Sequence, residues 1–437
     1  MSDKSSKFTP RIAMAVVVAN MVGTGVFTSL GFQLLDIQSG FVILMLWAVG
    51  GVMALCGALV YAELGSMFPR SGGEYNFLSE IYHPSAGFVS GWVSATIGFA
   101  APTALAAITF GKYLSSVFPV LDATWLACVL VLTLTTVHAT SRKNSADLQG
   151  VFTVVKILLI FGFCLLSWFL IDVPQNVNFL PSSGDGALMG GAAFAVSLIY
   201  VNYAYTGWNA ATYLSGEIDS PQKNLPRILI ISTLAVMVMY VMLNFTFMYV
   251  APIDDLMGKV EVGYVASQHV FGDIGAGIMG VLLSLLLIST VSAMVLAGPR
   301  VLQVIGEDFP VFRKMGQTNV HGVPAIAIWV QAALTLTFIL TASFESILIF
   351  AGFTLGVNTI FTVAGIFVLR WTKADYPRPF KAWGFPLTPI IYLALSAWTL
   401  TYTLIHKPAE GLSGMAIIIA GFLFYWATEY FGQKIDV

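Results

Sequence analysis

The sequence predicts an all-α polytopic membrane protein with twelve spanning helices, and three observations carry that reading. Of its 437 residues 57% are apolar and only 10% charged, with a mean hydropathy of +0.84, whereas an ordinary soluble domain carries about 25% charged residues. Apolar runs recur along the whole chain, at roughly 12–35, 40–66, 86–111, 122–139, 148–171, 187–214, 228–250, 275–298, 323–341, 345–369, 386–405 and 412–431, and each approaches the ~20 residues needed to cross a hydrocarbon core of about 30 Å. An even count puts both termini on one side, and the basic residues crowd that side: Lys4, Lys7, Arg11, Arg70, Arg142, Lys143, Lys223, Arg227, Arg300, Arg313, Lys314, Arg370, Lys373, Arg378, Lys381 and Lys434. Only Lys112, Lys259 and Lys407 fall opposite, and Lys156 falls inside a run. By the positive-inside rule both termini are cytoplasmic and the chain sits in the cytoplasmic membrane.

Composition also excludes. A net charge of −2 without a basic patch gives no footing for nucleic acid. Cys56, Cys128 and Cys164 each lie within an apolar run and read as small buried side chains, neither a metal site nor a disulfide framework. The first run follows a polar, basic N-terminus with no small-residue cleavage site, so it is expected to be retained as a helix. No linker divides the chain, which reads as one membrane domain over 1–437.

Taken in order, the first run is interrupted at its centre by Asn20-Met21-Val22-Gly23-Thr24-Gly25-Val26-Phe27. Each central glycine costs a helix about 1 kcal/mol relative to alanine. A real break leaves polar backbone groups that lipid cannot satisfy, so it is tolerable only beside a polar cavity; the competing reading is a close-packing face. After the second run, 67–85 opens with turn formers, and an amphipathic piece from Tyr75 to Tyr82 is expected as a short cytoplasmic surface helix. Glu63 and Glu217, at the ends of the second and sixth runs, read as surface partners of Arg70, Lys223 or similar residues. Lys156 lies about eight residues into the fifth run, where an ammonium costs about 2.5 to 3.5 kcal/mol and marks a functional candidate. The sixth run carries a second interruption, Tyr203-Ala204-Tyr205-Thr206-Gly207-Trp208-Asn209. Runs 1–5 and 6–10 therefore each open on a broken helix, and because five is odd the two sets insert with opposite orientation. That pairing points to a midplane binding site in an inverted-repeat transporter, with repeat one at about 10–171, repeat two at about 187–370 and two further helices at about 386–431.

Several motifs in this order resemble the amino acid-polyamine-organocation transporter superfamily, and within it the bacterial relatives of the L-type amino acid transporter light subunits. They are Gly23-Thr24-Gly25-Val26-Phe27; Tyr61-Ala62-Glu63-Leu64-Gly65 with Pro69-Arg70-Ser71-Gly72-Gly73-Glu74-Tyr75; and Ala204-Tyr205-Thr206-Gly207-Trp208-Asn209 followed by Gly216-Glu217 and Asn224-Leu225-Pro226. The resemblance covers essentially the whole chain. It implies the leucine-transporter type of 5+5 fold, alternating access and a free amino acid as substrate. The loop from Lys112 to Asp122 has no cysteine, so a disulfide-linked heavy chain is not expected.

An amino acid entering the membrane must have both charged ends compensated. The amides of Thr24 and Gly25, helped by the Thr24 hydroxyl, stand at the start of the outer half of the first helix and suit the carboxylate. By the family pattern the carbonyls of Met21, Tyr203, Ala204 and Thr206 accept the ammonium, and Tyr203 closes over the site as a gate. Asn209 and Trp208, with Ala100, Thr103, Phe353 and Thr354, are candidates for the side-chain pocket. No Asp or Glu lies mid-span near either break, which favours a neutral amino acid; a carrier of cationic amino acids or polyamines would need an acidic pocket residue. The resemblance also implies that Lys156 takes the place of a sodium ion, bridging the first helix near Val22 and Gly23 to the eighth, where Ser289 and Ser292 share it. Transport is then sodium-independent, by exchange or linked to protons. An integral-membrane enzyme would need a nucleophile and base at one depth, and the sequence offers no such cluster; a sensor would need a soluble signalling region, for which the termini leave no room. No cofactor or metal is expected.

Overall fold

A computed structural model describes residues 9–70, 72–140, 146–308, 312–320 and 322–432. Lys4, Lys7, Ser71, Arg142, Lys143 and Lys434 lie outside the described residues. The described chain is helical with short connections.

The first run is two helices, α1 (Pro10–Met21) and α2 (Gly25–Gln33), separated at residues 22–24. Pro10 fits the first turn of α1, where its missing amide hydrogen costs nothing. α3 (Gly40–Met67) starts on a Ser39 cap that accepts from the Val42 amide at 3.3 Å. α4 (Glu74–Ile81) leads into α5 (Pro84–Val93), a π turn at Ser94–Gly98 and α6 (Ala100–Val117), which form one long interrupted span. α7 (Ala123–Thr140) and α8 (Ala146–Leu170) follow. After the short α9 (Asp185–Met189), α10 (Ala192–Tyr205) ends at a turn and continues as 3-10 helix over Ala210–Glu217. α11 (Pro221–Val250), the short α12 (Ile253–Leu256), α13 (Val262–Asp308, kinked at Gly272) and the short α14 (Arg313–Gly316) precede α15 (Ala325–Thr341), α16 (Phe344–Thr372), α17 (Leu387–His406) and α18 (Pro408–Gly432).

Ten described segments are long and apolar enough to cross a membrane. The other two runs read from sequence are the divided α10 segment and α15, which is 17 residues long. α3 packs along α11 and α6 along α13. Large apolar side chains such as Trp125, Phe169, Ile274, Leu340 and Trp426 point outward, as lipid-facing positions do when hydrocarbon replaces water.

Two expectations about the connections are corrected. α4 is not a surface helix: Glu74, Asn76, Phe77, Leu78 and Ile81 are buried, because α5 and α16 cover it. Glu63 is fully buried and pairs with neither Arg70 nor Lys223. The loop after α16 folds back beneath the end of α3, where Arg370 Nη2 meets Glu63 Oε2 at 2.7 Å, Arg378 Nε lies 3.5 Å from Oε1, and the Ala382 amide donates to Oε2 at 2.7 Å. The Arg370 guanidinium also lies 3.6 Å over the Phe385 ring. Sequence distance concealed this pairing, which spans more than three hundred residues.

Glu63 is buried while the arginines are only partly so, and leaving them without their carboxylate costs less than the about 3 to 5 kcal/mol of a broken fully buried pair. Glu63→Gln is therefore expected to lower the thermal unfolding midpoint in detergent; an unchanged midpoint would show that the arginines find other partners.

Candidate functional site

The two helix breaks lie against each other. A Cβ added at Gly25 would stand 2.5 Å from the Ala204 Cα, and one at Gly207 2.8 Å from the Asn20 carbonyl carbon. Gly207 also holds φ at +107°, a left-handed conformation that glycine adopts without steric cost. The packing reading of Gly25 is thus sterically correct, and the break is real as well: α2 begins at Gly25 with no side-chain cap bond from Thr24, so the free amides of its first turn face the gap. Gly23 differs, because a Cβ there would meet only the Met21 oxygen, at 3.9 Å.

One phenol joins the two breaks. Tyr240 of α11 donates its hydroxyl toward the carbonyls of both Met21 and Ala204, the latter at 3.1 Å. Sequence reasoning missed this residue, which sits in an unbroken apolar helix with no motif around it. The Met21 oxygen also accepts from the Gly23 amide at 2.7 Å, which takes both of its lone pairs. Met21 is therefore corrected from an open acceptor to an internally satisfied one. The Tyr203 oxygen accepts from the Thr206 amide at 2.9 Å and keeps one lone pair. The Tyr203 ring is buried, and its hydroxyl interacts with the Thr24 side chain.

The breaks open onto a cavity of about 420 Å³. Met21, Gly23, Thr24, Gly25, Tyr203, Ala204, Thr206 and Asn209 all line it, so the predicted binding residues are brought together. Asn20 and Thr206 are exposed within it. Phe32, Tyr200 and Phe344 do not line the cavity; Phe32 stacks against both other rings, with centroids at 6.1 and 5.6 Å. Beyond that stack Glu345 accepts from Tyr200 and Lys407, each at 2.8 Å.

The side-chain pocket is only partly as expected. Trp208 lines the cavity and packs edge-on against Tyr61 at 4.6 Å. Ala100, Thr103, Phe353 and Thr354 do not line it; their places are taken by Phe99 and Pro102 on one side and by Gly352, Leu355, Gly356 and Thr359 on the other. The spacing of the α16 set is one face of a helix, and Phe353 and Thr354 lie off that face, toward Gly414 of α18. A wall that the sequence did not suggest comes from α17: Tyr392, Ser396, Thr399 and Leu400.

No Asp or Glu is expected mid-span near either break, and the acidic side chain on the cavity wall comes instead from the connecting segment. Glu74 lines the cavity while only 4% exposed. Its carboxylate accepts from Tyr61 and Asn358, from Asn209 at 3.2 Å and from Thr359 at 3.4 Å. Burial, opposed by these donors, holds the carboxyl above the usual carboxylate range. Its position in a connecting segment hid it, since nothing in the sequence shows that α4 folds inward.

Lys156 is 4% exposed and donates to Thr290 Oγ1 of α13 at 2.8 Å. A small cavity of about 10 Å³ beside it is lined by Val22 and Gly23, as expected of a link between the first and eighth spans. Thr290 is a hydroxyl that the sequence did not single out, and of the two serines expected there Ser292 lies 2.8 Å from His138 Nε2.

A profile of the amino acid permease family matches residues 9–427. The chain is 29% identical over 440 residues to the large neutral amino acids transporter small subunit 2 of Mus musculus, covering 97% of this chain and 81% of that one. It is 30% identical to the same-named protein of Rattus norvegicus, covering 97% and 80%. With the b(0,+)-type amino acid transporter 1 of Mus musculus it shares 26% identity over 429 residues, covering 96% and 87%. Matched over nearly all of its length, and built of helices long and apolar enough to cross a membrane around a cavity with polar and apolar lining, the chain belongs to the amino acid permease family, whose members are transporters and not enzymes.

Proposed function

We propose that this protein moves neutral L-amino acids across the cytoplasmic membrane by alternating access on a twelve-helix 5+5 inverted repeat, independently of sodium and by exchange or proton linkage. The observation that carries this is the apposition of two helix breaks on the wall of one cavity. Free amides of Thr24 and Gly25 supply the positive end of a helix dipole for a carboxylate. The remaining lone pairs of the Tyr203, Ala204 and Thr206 carbonyls suit an ammonium. With both termini cytoplasmic, the cavity faces inward, and the Phe32, Tyr200 and Phe344 stack is the closed outer gate. Lys156, hydrogen-bonded to Thr290, supplies a fixed cation between the first and eighth spans, which favours sodium independence. A heavy chain joined through a disulfide is disfavoured because all three cysteines of this chain are buried. A second reading, a carrier of cationic amino acids, is favoured by the carboxylate of Glu74 on the cavity wall.

A proteoliposome uptake panel of labelled amino acids, with sodium, pH gradient and internal amino acid each varied, is expected to show uptake of neutral amino acids that sodium leaves unchanged. Preference for lysine or arginine would favour the second reading, sodium dependence would defeat the role given to Lys156, and no uptake in any mode would defeat the function. Gly23→Val places bulk in the cavity where the fold has room. It is expected to keep the unfolding midpoint near wild type while weakening amino acid binding about tenfold or more, roughly 1.4 kcal/mol. Normal binding by this variant would exclude the break at 22–24 as the site.

A further inference from the structure

Among the described residues two glutamates, Glu63 and Glu74, are fully or nearly buried, eleven positions apart, in opposite settings. Glu63 faces two arginines and a backbone amide and lies away from the cavity. Glu74 lies on the cavity wall and forms no ion pair among the described residues. A buried carboxylate meant to stay ionised is normally given a cation. Glu74 is instead held by the amides of Asn209 and Asn358 and the hydroxyls of Tyr61 and Thr359.

Those partners suit either protonation state. Each amide has an oxygen as well as an NH₂, and each hydroxyl both donates and accepts. When Glu74 is ionised they donate to it. When it is neutral, its own O–H needs one acceptor, which an amide turned over at Asn358 or Asn209 supplies. The ionisable groups facing Glu74 from neighbouring elements are the phenols of Tyr61 on α3, Tyr213 on the 3-10 helix and Tyr392 on α17. α5 offers Ser90, which Asn358 reaches at 3.1 Å, and α16 offers Asn358 and Thr359. A fixed cation that would lock the charge is lacking among these neighbours.

The cluster also spans parts that must shift for the cavity to close on this side. Asn209 belongs to the segment that follows the break in the sixth span, Tyr61 to α3, and Asn358 ties α16 to α5.

We propose that Glu74 is a proton-binding site of the transport cycle, taking a proton from cavity water and returning it to water as the segment led by Asn209 moves, so that proton linkage runs through this carboxylate and not through Lys156. The inference rests on the cavity being an amino acid site. The proton adds to a Glu74 oxygen and leaves from it, with no other bond made or broken. Because burial holds Glu74 above the ordinary carboxylate range, uptake should decline as the pH of the outer, substrate-loading side rises through that higher range.

The test uses the full chain in proteoliposomes with an internal pH dye and a labelled neutral amino acid. In the wild type, amino acid influx should acidify the lumen, and a gradient of one pH unit should support up to about tenfold accumulation, since one proton then carries about 1.4 kcal/mol. Glu74→Gln should lose both the accumulation ratio and the acidification, whatever its absolute rate, and Glu74→Asp should restore them in part. Influx without acidification in the wild type, or an unchanged gradient response in Glu74→Gln, would overturn the proposal. If Glu74→Gln does not fold, Glu74→Asp decides: an accumulation ratio and pH profile identical to wild type would overturn the proposal. Absence of any amino acid uptake would instead defeat the underlying reading of the cavity.

Discussion

A carbonyl released from a helix inside a membrane has no water to bond, and an unmet backbone group there costs several kcal/mol. Two helices of this protein stop against each other, and the single Tyr240 hydroxyl lies within reach of the freed carbonyls of both Met21 and Ala204. The architecture around the cavity depends on that arrangement. Gly25 lets the first break approach Ala204, Gly207 lets the second approach Asn20, and Tyr240 serves both carbonyls from α11. What remains unspent is a set of amides at the start of α2 and a few carbonyl lone pairs, which is the polarity that a zwitterion needs.

The cavity walls follow from helix geometry. α16 and α17 each present one face, through Gly352, Leu355, Gly356 and Thr359 and through Tyr392, Ser396, Thr399 and Leu400. The π turn at Ser94–Gly98 brings Ser94 and Gly98 to a third wall, consistent with the frequent use of such turns at functional sites. The inward-folded α4 contributes Glu74 at the floor. The Phe32 stack joins a cluster in which Glu345 accepts from Tyr200 and Lys407.

Much of this was legible in the sequence because the signals were local. Glycines at 23, 25 and 207 inside apolar runs mark breaks, and the lysine at 156 stands alone in lipid-length sequence, so its burial against the eighth span could be expected. What was not legible depended on azimuth or on distant folding. Ser289, Thr290 and Ser292 are near neighbours on one helix, and choosing Thr290 for Lys156 requires knowing how α13 is rotated. The same ambiguity placed Thr354 in the pocket, where Leu355 and Gly356 stand. Glu63 and Glu74 both sit at the edges of spans, and only the folding of the loop after α16 and of α4 makes one a locked ion pair and the other a cavity carboxylate. Tyr240 carried no signal beyond being a tyrosine in an apolar helix.

The claim on which the rest stands is that backbone at the two breaks holds the two ends of an amino acid. A structure determined with alanine or leucine bound tests it most directly. The account predicts the ligand carboxylate within hydrogen-bonding distance of the Thr24 and Gly25 amides and its ammonium against carbonyls of the Tyr203 to Thr206 segment. A ligand seated instead along the α17 wall, with both breaks unvisited, would contradict it.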